Sequence, residues 1–129
     1  MPITMELREH NRVMYYEITD PWRLSEVYTC YDLNNELRNQ YEHKIHTIAN
    51  VSVMREIPID ALSLRLRSPD LLHPRSGTVF MVGPSPIARS IIELIASLSN
   101  PRKIRVIATE EEAWNAVRAM LEREASTSP

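Results

Sequence analysis

Apolar and polar positions change their period several times along the chain, and each change marks an element. Residues 3–8 (ITMELR) and 12–19 (RVMYYEIT) are short β-type runs joined at His10-Asn11, so they predict a hairpin. Asp20-Pro21 then supplies a cap and a first-turn proline for a helix over about 21–42. Val27, Cys30, Leu33, Leu37 and Tyr41 recur in it every three or four residues and make its expected core stripe. Leu24, Tyr28 and Tyr31 form a second row beside that stripe. Residues 45–54 (IHTIANVSVM) are rich in β-branched residues and predict a strand.

The next stretch, 58–68 (PIDALSLRLRS), fits two periods. Leu62, Leu64 and Leu66 alternate as in a strand, while Leu62 and Leu66 also share a helix face; Pro58 and Pro69 at its ends favour a short helix. A loop with two prolines and a glycine follows. The continuous apolar run 78–82 (TVFMV) predicts a strand covered on both faces. A helix over about 86–99 should then bury Ile87, Ile91, Ile92, Ile95 and Leu98, with Asn100-Pro101 ending it. Residues 103–108 (KIRVIA) predict a last strand. Thr109 with Glu112 reads as a capping box opening a helix over about 110–124, whose core face is Ala113, Trp114, Val117 and Leu121. Residues 125–129 are expected as a disordered tail.

This order predicts a single α/β domain over 1–124: a mixed five-stranded sheet, an N-terminal hairpin then parallel strands, with helices packed on it. The length of 129 residues and a hydrophobic share of 43% suit one packed core. A balance of 15 basic and 17 acidic residues lacks the basic excess of a nucleic-acid binder, so no nucleic-acid partner is expected. The one cysteine, Cys30, excludes an intramolecular disulfide, and neither a secretion signal nor a membrane-length apolar run is evident. A cytoplasmic location is the resulting expectation.

Candidate chemistry is sparse. The corner "VGPSPIAR" after the fourth strand has Ser85 to cap, Pro86 at the first helical position and free N–H groups beyond, so Gly83, Ser85 and Arg89 form a candidate anion site. One glycine without a lysine is not a nucleotide loop. The same residues also suit a plain strand-to-helix corner. His43 and His46 are spaced for a metal but straddle a helix end and a strand start, so no metal site is assigned. Cys30 reads as a small core residue, Glu110–Glu112 as a solvated first turn, and His73 with Arg75 and Ser76 as loop polarity. No catalytic set and no cofactor motif is visible, and no enzyme is expected. The aromatic-rich first third suits packing between hairpin and helix; an exposed Leu24, Tyr28 and Tyr31 row would instead make a protein interface.

The element order across 3–124, the closing block "KIRVIATEEEAWNAVRAML" and the block "LHPRSGTVFMVG" together resemble the STAS domain of bacterial anti-sigma-factor antagonists and the bacterial STAS-like proteins around it. The resemblance implies a non-catalytic regulatory module that binds a partner protein or dimerises. Antagonists of this family carry Asp-Ser-Ser-Gly after the third strand, with one serine phosphorylated. The matching residues here, Glu56 to Ala61, contain no hydroxyl, so no phosphoserine switch is expected; Asp60 stands near the site as a charge mimic or an ordinary helix-start residue, and Ser63 is the nearest serine. Similarity to the lipid-binding CRAL-TRIO architecture implies the alternative, a carrier of a small apolar or anionic ligand held between segment 58–72 and the sheet.

Overall fold

Alternation along the strands decides the layers. In the computed structural model, which describes residues 2–55, 57–58 and 60–127, Val13 and Tyr15 of the second strand join one apolar cluster and Met14 and Tyr16 the other. The strands are β1 (Ile3–Arg8), β2 (Val13–Ile18), β3 (Ile45–Asn50), β4 (Ser76–Val82) and β5 (Ile104–Ile107). They lie in chain order across one sheet; β1 and β2 are antiparallel, and β2 to β5 are parallel. The mixed five-stranded sheet expected from the sequence is therefore the one observed, including parallel pairing of Ile48 with Phe80.

Between β2 and β3 runs α1 (Leu24–Asn39); between β3 and β4 run a 3-10 helix (Ala61–Leu66) and the single turn α2 (Pro69–Leu72); between β4 and β5 runs α3 (Pro86–Leu98). Because each crossover advances one strand in the same direction, crossovers of one hand put these pieces on the same face. Their core holds Met14, Tyr16, Val27, Ile45, Ala49 and Ala88. The last helix, α4 (Glu110–Thr127), follows β5 and covers the other face with Ala113, Trp114 and Val117 against Val13, Tyr15, Ile48 and Phe80.

The α4 face is tied down at both ends. Thr109 Oγ1 accepts the Glu112 N–H at 3.2 Å, the expected cap. Glu110, expected as a solvated residue, instead bridges Asn50 Nδ2 (3.0 Å) and Trp114 Nε1 (3.2 Å). The Trp114 ring stacks on Tyr15 at 5.9 Å, with the Arg8 and Arg118 guanidinium groups over it. Near the C-terminal end, His46 Nδ1 accepts the Thr78 N–H at 2.9 Å, which leaves Nε2–H to donate to Glu124 at 2.7 Å. Gly77 makes this fit possible: a Cβ there would lie 2.1 Å from His46 Nδ1.

Several boundaries differ from expectation. Asp20 does not cap α1, because its carboxylate accepts the Arg55 N–H at 2.7 Å and the helix opens four residues later. β3 ends at Asn50, where Val51 to Met54 turn. The ambiguous segment is helical, as a 3-10 helix over Ala61–Leu66. α4 continues through Thr127, since no breaker precedes Pro129, so residues 125–127 are helix rather than tail; Ser128 and Pro129 lie outside the described residues. The hairpin turns through Glu9, His10 and Asn11, all with left-handed φ between 54° and 63°. Among the described residues no helix is long and apolar enough to cross a membrane.

Candidate functional site

The crossover face holds the features of functional interest, and they begin with a departure from the expected stripe of α1. Leu33 is 49% exposed, whereas Asn34 and Arg38 are fully buried alongside Val27. Val27, Asn34 and Arg38 share one helix face at spacings of seven and four, with Tyr31 between. The helix therefore turns a polar row inward, which is tolerable only if every polar atom finds a partner.

Asp70 supplies the centre. Pro69 at the first position of α2 sets that turn, and Asp70 projects into the layer 6% exposed. Its Oδ1 accepts from Arg38 Nη2 (2.7 Å), Thr47 Oγ1 (2.6 Å) and Asn34 Nδ2 (3.1 Å). Arg38 also donates from Nε to Asn34 Oδ1 (2.6 Å), from Nη1 to the Ile45 carbonyl (2.8 Å) and from Nη2 to Thr47 (3.0 Å). Asn34 donates further to the Tyr16 hydroxyl. Burial, reinforced by the nearby Asp70 charge, pushes the Tyr16 and Tyr31 phenols well above their ordinary value, so both stay protonated. His73 and Lys103 secure the rim: His73 bonds Asn39 at 2.8 Å, and Lys103 Nζ donates to Ser76 and to the Leu71 carbonyl. Burial lowers the pKa of both groups.

Above this cluster lies a cavity of about 150 Å³ between the sheet and the crossover elements. Its walls are mostly hydrocarbon: Ala49 and Met81 from the sheet, Val27 from α1, Ile92 from α3, Met54 and Leu64 from the intervening segment. Thr47, Ser68 and Asp70 give it one polar end. Cys30 is also on the wall, and burial raises its thiol pKa, which disfavours the thiolate. Tyr31 lines both this cavity and an outer cleft bounded by Asp32, Asn35, Arg67 and His73.

The residues singled out in the sequence fall in three places. Ser85 caps α3 by accepting the Ala88 N–H at 3.3 Å, and Gly83 takes a left-handed φ of 64° at the corner. Arg89 pairs with Glu93 at 2.8 Å, which draws its charge along the helix rather than to the corner. Leu24 packs on the crossover-face core, and Tyr31 lines the cavity. Tyr28 bonds Ser63 at 2.9 Å under the Arg67 guanidinium, 3.9 Å from its ring. Asp60 is exposed at the start of the 3-10 helix and makes no side-chain cap bond. Of the matched segment 56–61, Glu56 and Ile59 lie outside the described residues. His43 bonds the Asn11 carbonyl while His46 bonds Glu124, and among the described residues no three His, Cys, Asp or Glu side chains converge as a metal site.

α3 also departs from its expected face. Ala88 and Ile92 are buried, but Ile87 and Leu98 stand 69% and 57% exposed, in line with exposed Leu94. The helix is rotated so that the Ala88 and Ile92 side faces the sheet, and the small Ala88 permits close approach. In comparisons with known proteins, no family model and no curated sequence matches the chain.

Proposed function

We propose that the protein is a non-catalytic binding module that holds a small apolar ligand between its sheet and its crossover helices. The supporting observation is the hydrocarbon-walled cavity of about 150 Å³ closed at one end by the Asp70 cluster. The hydrocarbon walls of a cavity of this size forgo dispersion contacts, so a molecule on the scale of benzene gains them on entering. Long-chain lipids exceed the volume. Tyr31 lines both the cavity and the outer cleft, so the cleft is the side from which we infer that a ligand enters. The test is addition of toluene or xenon to the ¹⁵N-labelled protein. Shifts centred on Ala49, Met81 and Ala88 with a raised melting temperature are expected, and no response to either probe would refute the reading.

A second reading, a STAS-like regulatory module acting on a partner protein or on its own copy, draws on the exposed Ile87, Leu94 and Leu98 stripe of α3. It would work without the phosphoserine switch, since residues 55–61 carry no hydroxyl. The Ser63 hydroxyl is engaged by Tyr28 and the Asp60 carbonyl. Light scattering of the native protein and of Leu94→Glu tests the self-association arm: a concentration-dependent dimer lost in the variant supports it. Stoichiometric phosphate on Ser63 after treatment with an anti-sigma kinase and ATP would restore the switch.

A further inference from the structure

The polar end of the cavity specifies more than apolarity. We propose, resting on the ligand-binding reading above, that the ligand is an uncharged ring compound carrying one hydroxyl or N–H donor, which Asp70 accepts on Oδ2. Among the described residues, every side-chain hydrogen bond to Asp70 ends on Oδ1, from Asn34, Arg38 and Thr47. No fully buried side-chain polar atom among those residues lacks a partner, so an Oδ2 without one must touch open space. Asp70 lines the inner cavity and not the outer cleft, so the inner cavity is the open space that its side chain borders. A carboxylate oxygen without a hydrogen-bond partner, on a side chain only 6% exposed, thus borders a mostly apolar chamber with an acceptor to offer.

Charge selects against the other candidates. Arg38 is not on the cavity wall, and four of its five N–H donors are taken by Asn34, the Ile45 carbonyl, Thr47 and Asp70, so no Arg38 donor is directed at a ligand in the cavity. Together Arg38 and Asp70 are neutral. An incoming anion meets the carboxylate first, and an ammonium must shed its hydration for a chamber whose countercharge is already paired. A neutral donor avoids both costs and completes the valence of Oδ2. Arg65 is the other charged residue on the wall, and its guanidinium donates to the Leu62 carbonyl at 2.8 Å. It is where a carboxylate ligand would bind if the proposal were wrong.

Titration calorimetry on the native chain with phenol, toluene and benzoate tests this. Phenol and toluene share shape and differ in the donor. Phenol should bind about tenfold tighter than toluene, the margin expected of a net hydrogen bond to a buried charged acceptor. Benzoate should bind at least about tenfold more weakly than phenol. Ala49→Leu, which fills the chamber from the sheet side without touching Asp70, should abolish binding of phenol and toluene alike. Equal affinity for phenol and toluene would overturn the donor inference and leave the apolar-ligand reading standing. Tighter binding of benzoate would overturn it in favour of Arg65. Binding of none of the three, with no xenon response, would overturn both.

Discussion

The two faces of the sheet are covered in different ways, and the contrast explains where a ligand can sit. One long helix, α4, lies on one face, and its contacts are close: Ala113 and Val117 fully buried, Trp114 stacked on Tyr15, His46 fitted against Gly77. The other face is assembled from α1, a 3-10 helix, the single turn α2 and α3. With only a 3-10 helix and a single turn between α1 and α3, the layer leaves a gap over the sheet, and that gap is the cavity. A polar cluster, rather than more hydrocarbon, locks those pieces together at one end. Close packing on one side and polar fixation on the other let the same sheet be rigid while keeping an internal space open.

The largest effect should come from the polar lock. Arg38→Met leaves the Asp70 carboxylate buried without its cation, and removes the donors to the Ile45 carbonyl and Asn34 Oδ1 as well. Breaking one side of a buried ion pair costs about 3–5 kcal/mol. Urea unfolding should show a loss of that order, partly recovered by adding Asp70→Asn, which removes the stranded charge. A loss below about 1 kcal/mol would mean the surface-pair range applies and the cluster is wet.

On the close-packed face the sensitive point is Gly77. A Cβ there meets the His46 ring, which is 1% exposed and has nowhere to retreat without releasing Thr78 and Glu124. Overpacking with the loss of one or two hydrogen bonds predicts that Gly77→Ala costs about 2–3 kcal/mol in the same assay. A neutral substitution would show that this face yields as readily as the other.

How much of this was legible in the sequence follows the same division. Ala113, Trp114 and Val117 could be assigned because apolar period and burial coincide on α4, and the Thr109 and Ser85 caps could be read because capping is local. The parallel sheet followed from element order. The polar cluster was not legible. Asn34 and Arg38 look like the solvated side of a helix whose Leu33 looks like core, and only Asp70, remote in sequence, reverses the two. No spacing rule joins α1 to a one-turn helix beyond β3. For α3, six large apolar residues offered more than one core face, and burial chose the one with the smallest side chain, Ala88.

Matched enlargements sharpen the contrast between faces. Ala113 on α4 and Ala49 on β3 are both buried, at 0% and 6% exposure, but only Ala49 lines the cavity. Ala113→Leu should cost about 1–3 kcal/mol because the added atoms displace packed neighbours. Ala49→Leu should change stability by less than about 1 kcal/mol, in either direction, because the void receives them. Equal costs, measured by denaturant midpoint, would mean that the void is closed in solution by repacking.

The gentlest probe is pH, because each face carries one buried histidine whose Nδ1 accepts a backbone N–H: His46 from Thr78 at 2.9 Å, and His73 from Arg75 at 3.0 Å. Protonation at Nδ1 forfeits that bond. Burial is the main cause lowering both pKa values; for His46 the Glu124 carboxylate opposes it, and for His73 the Arg38 and Arg75 charges add to it. With folded pKa values below the unfolded value of about 6.5, the unfolded chain binds more protons in the interval between them. Stability from these groups is therefore complete above about pH 6.5 and falls as pH drops through the folded values. The melting temperature should decline between pH 7.5 and pH 5, and His73→Gln should remove only the crossover-face share of the decline. Histidine ring NMR resonances tell the faces apart directly: both should titrate below the free-histidine range. If His46 instead titrated above it, the Glu124 contact would outweigh burial, and the α4 face would gain stability from acid where the crossover face loses it.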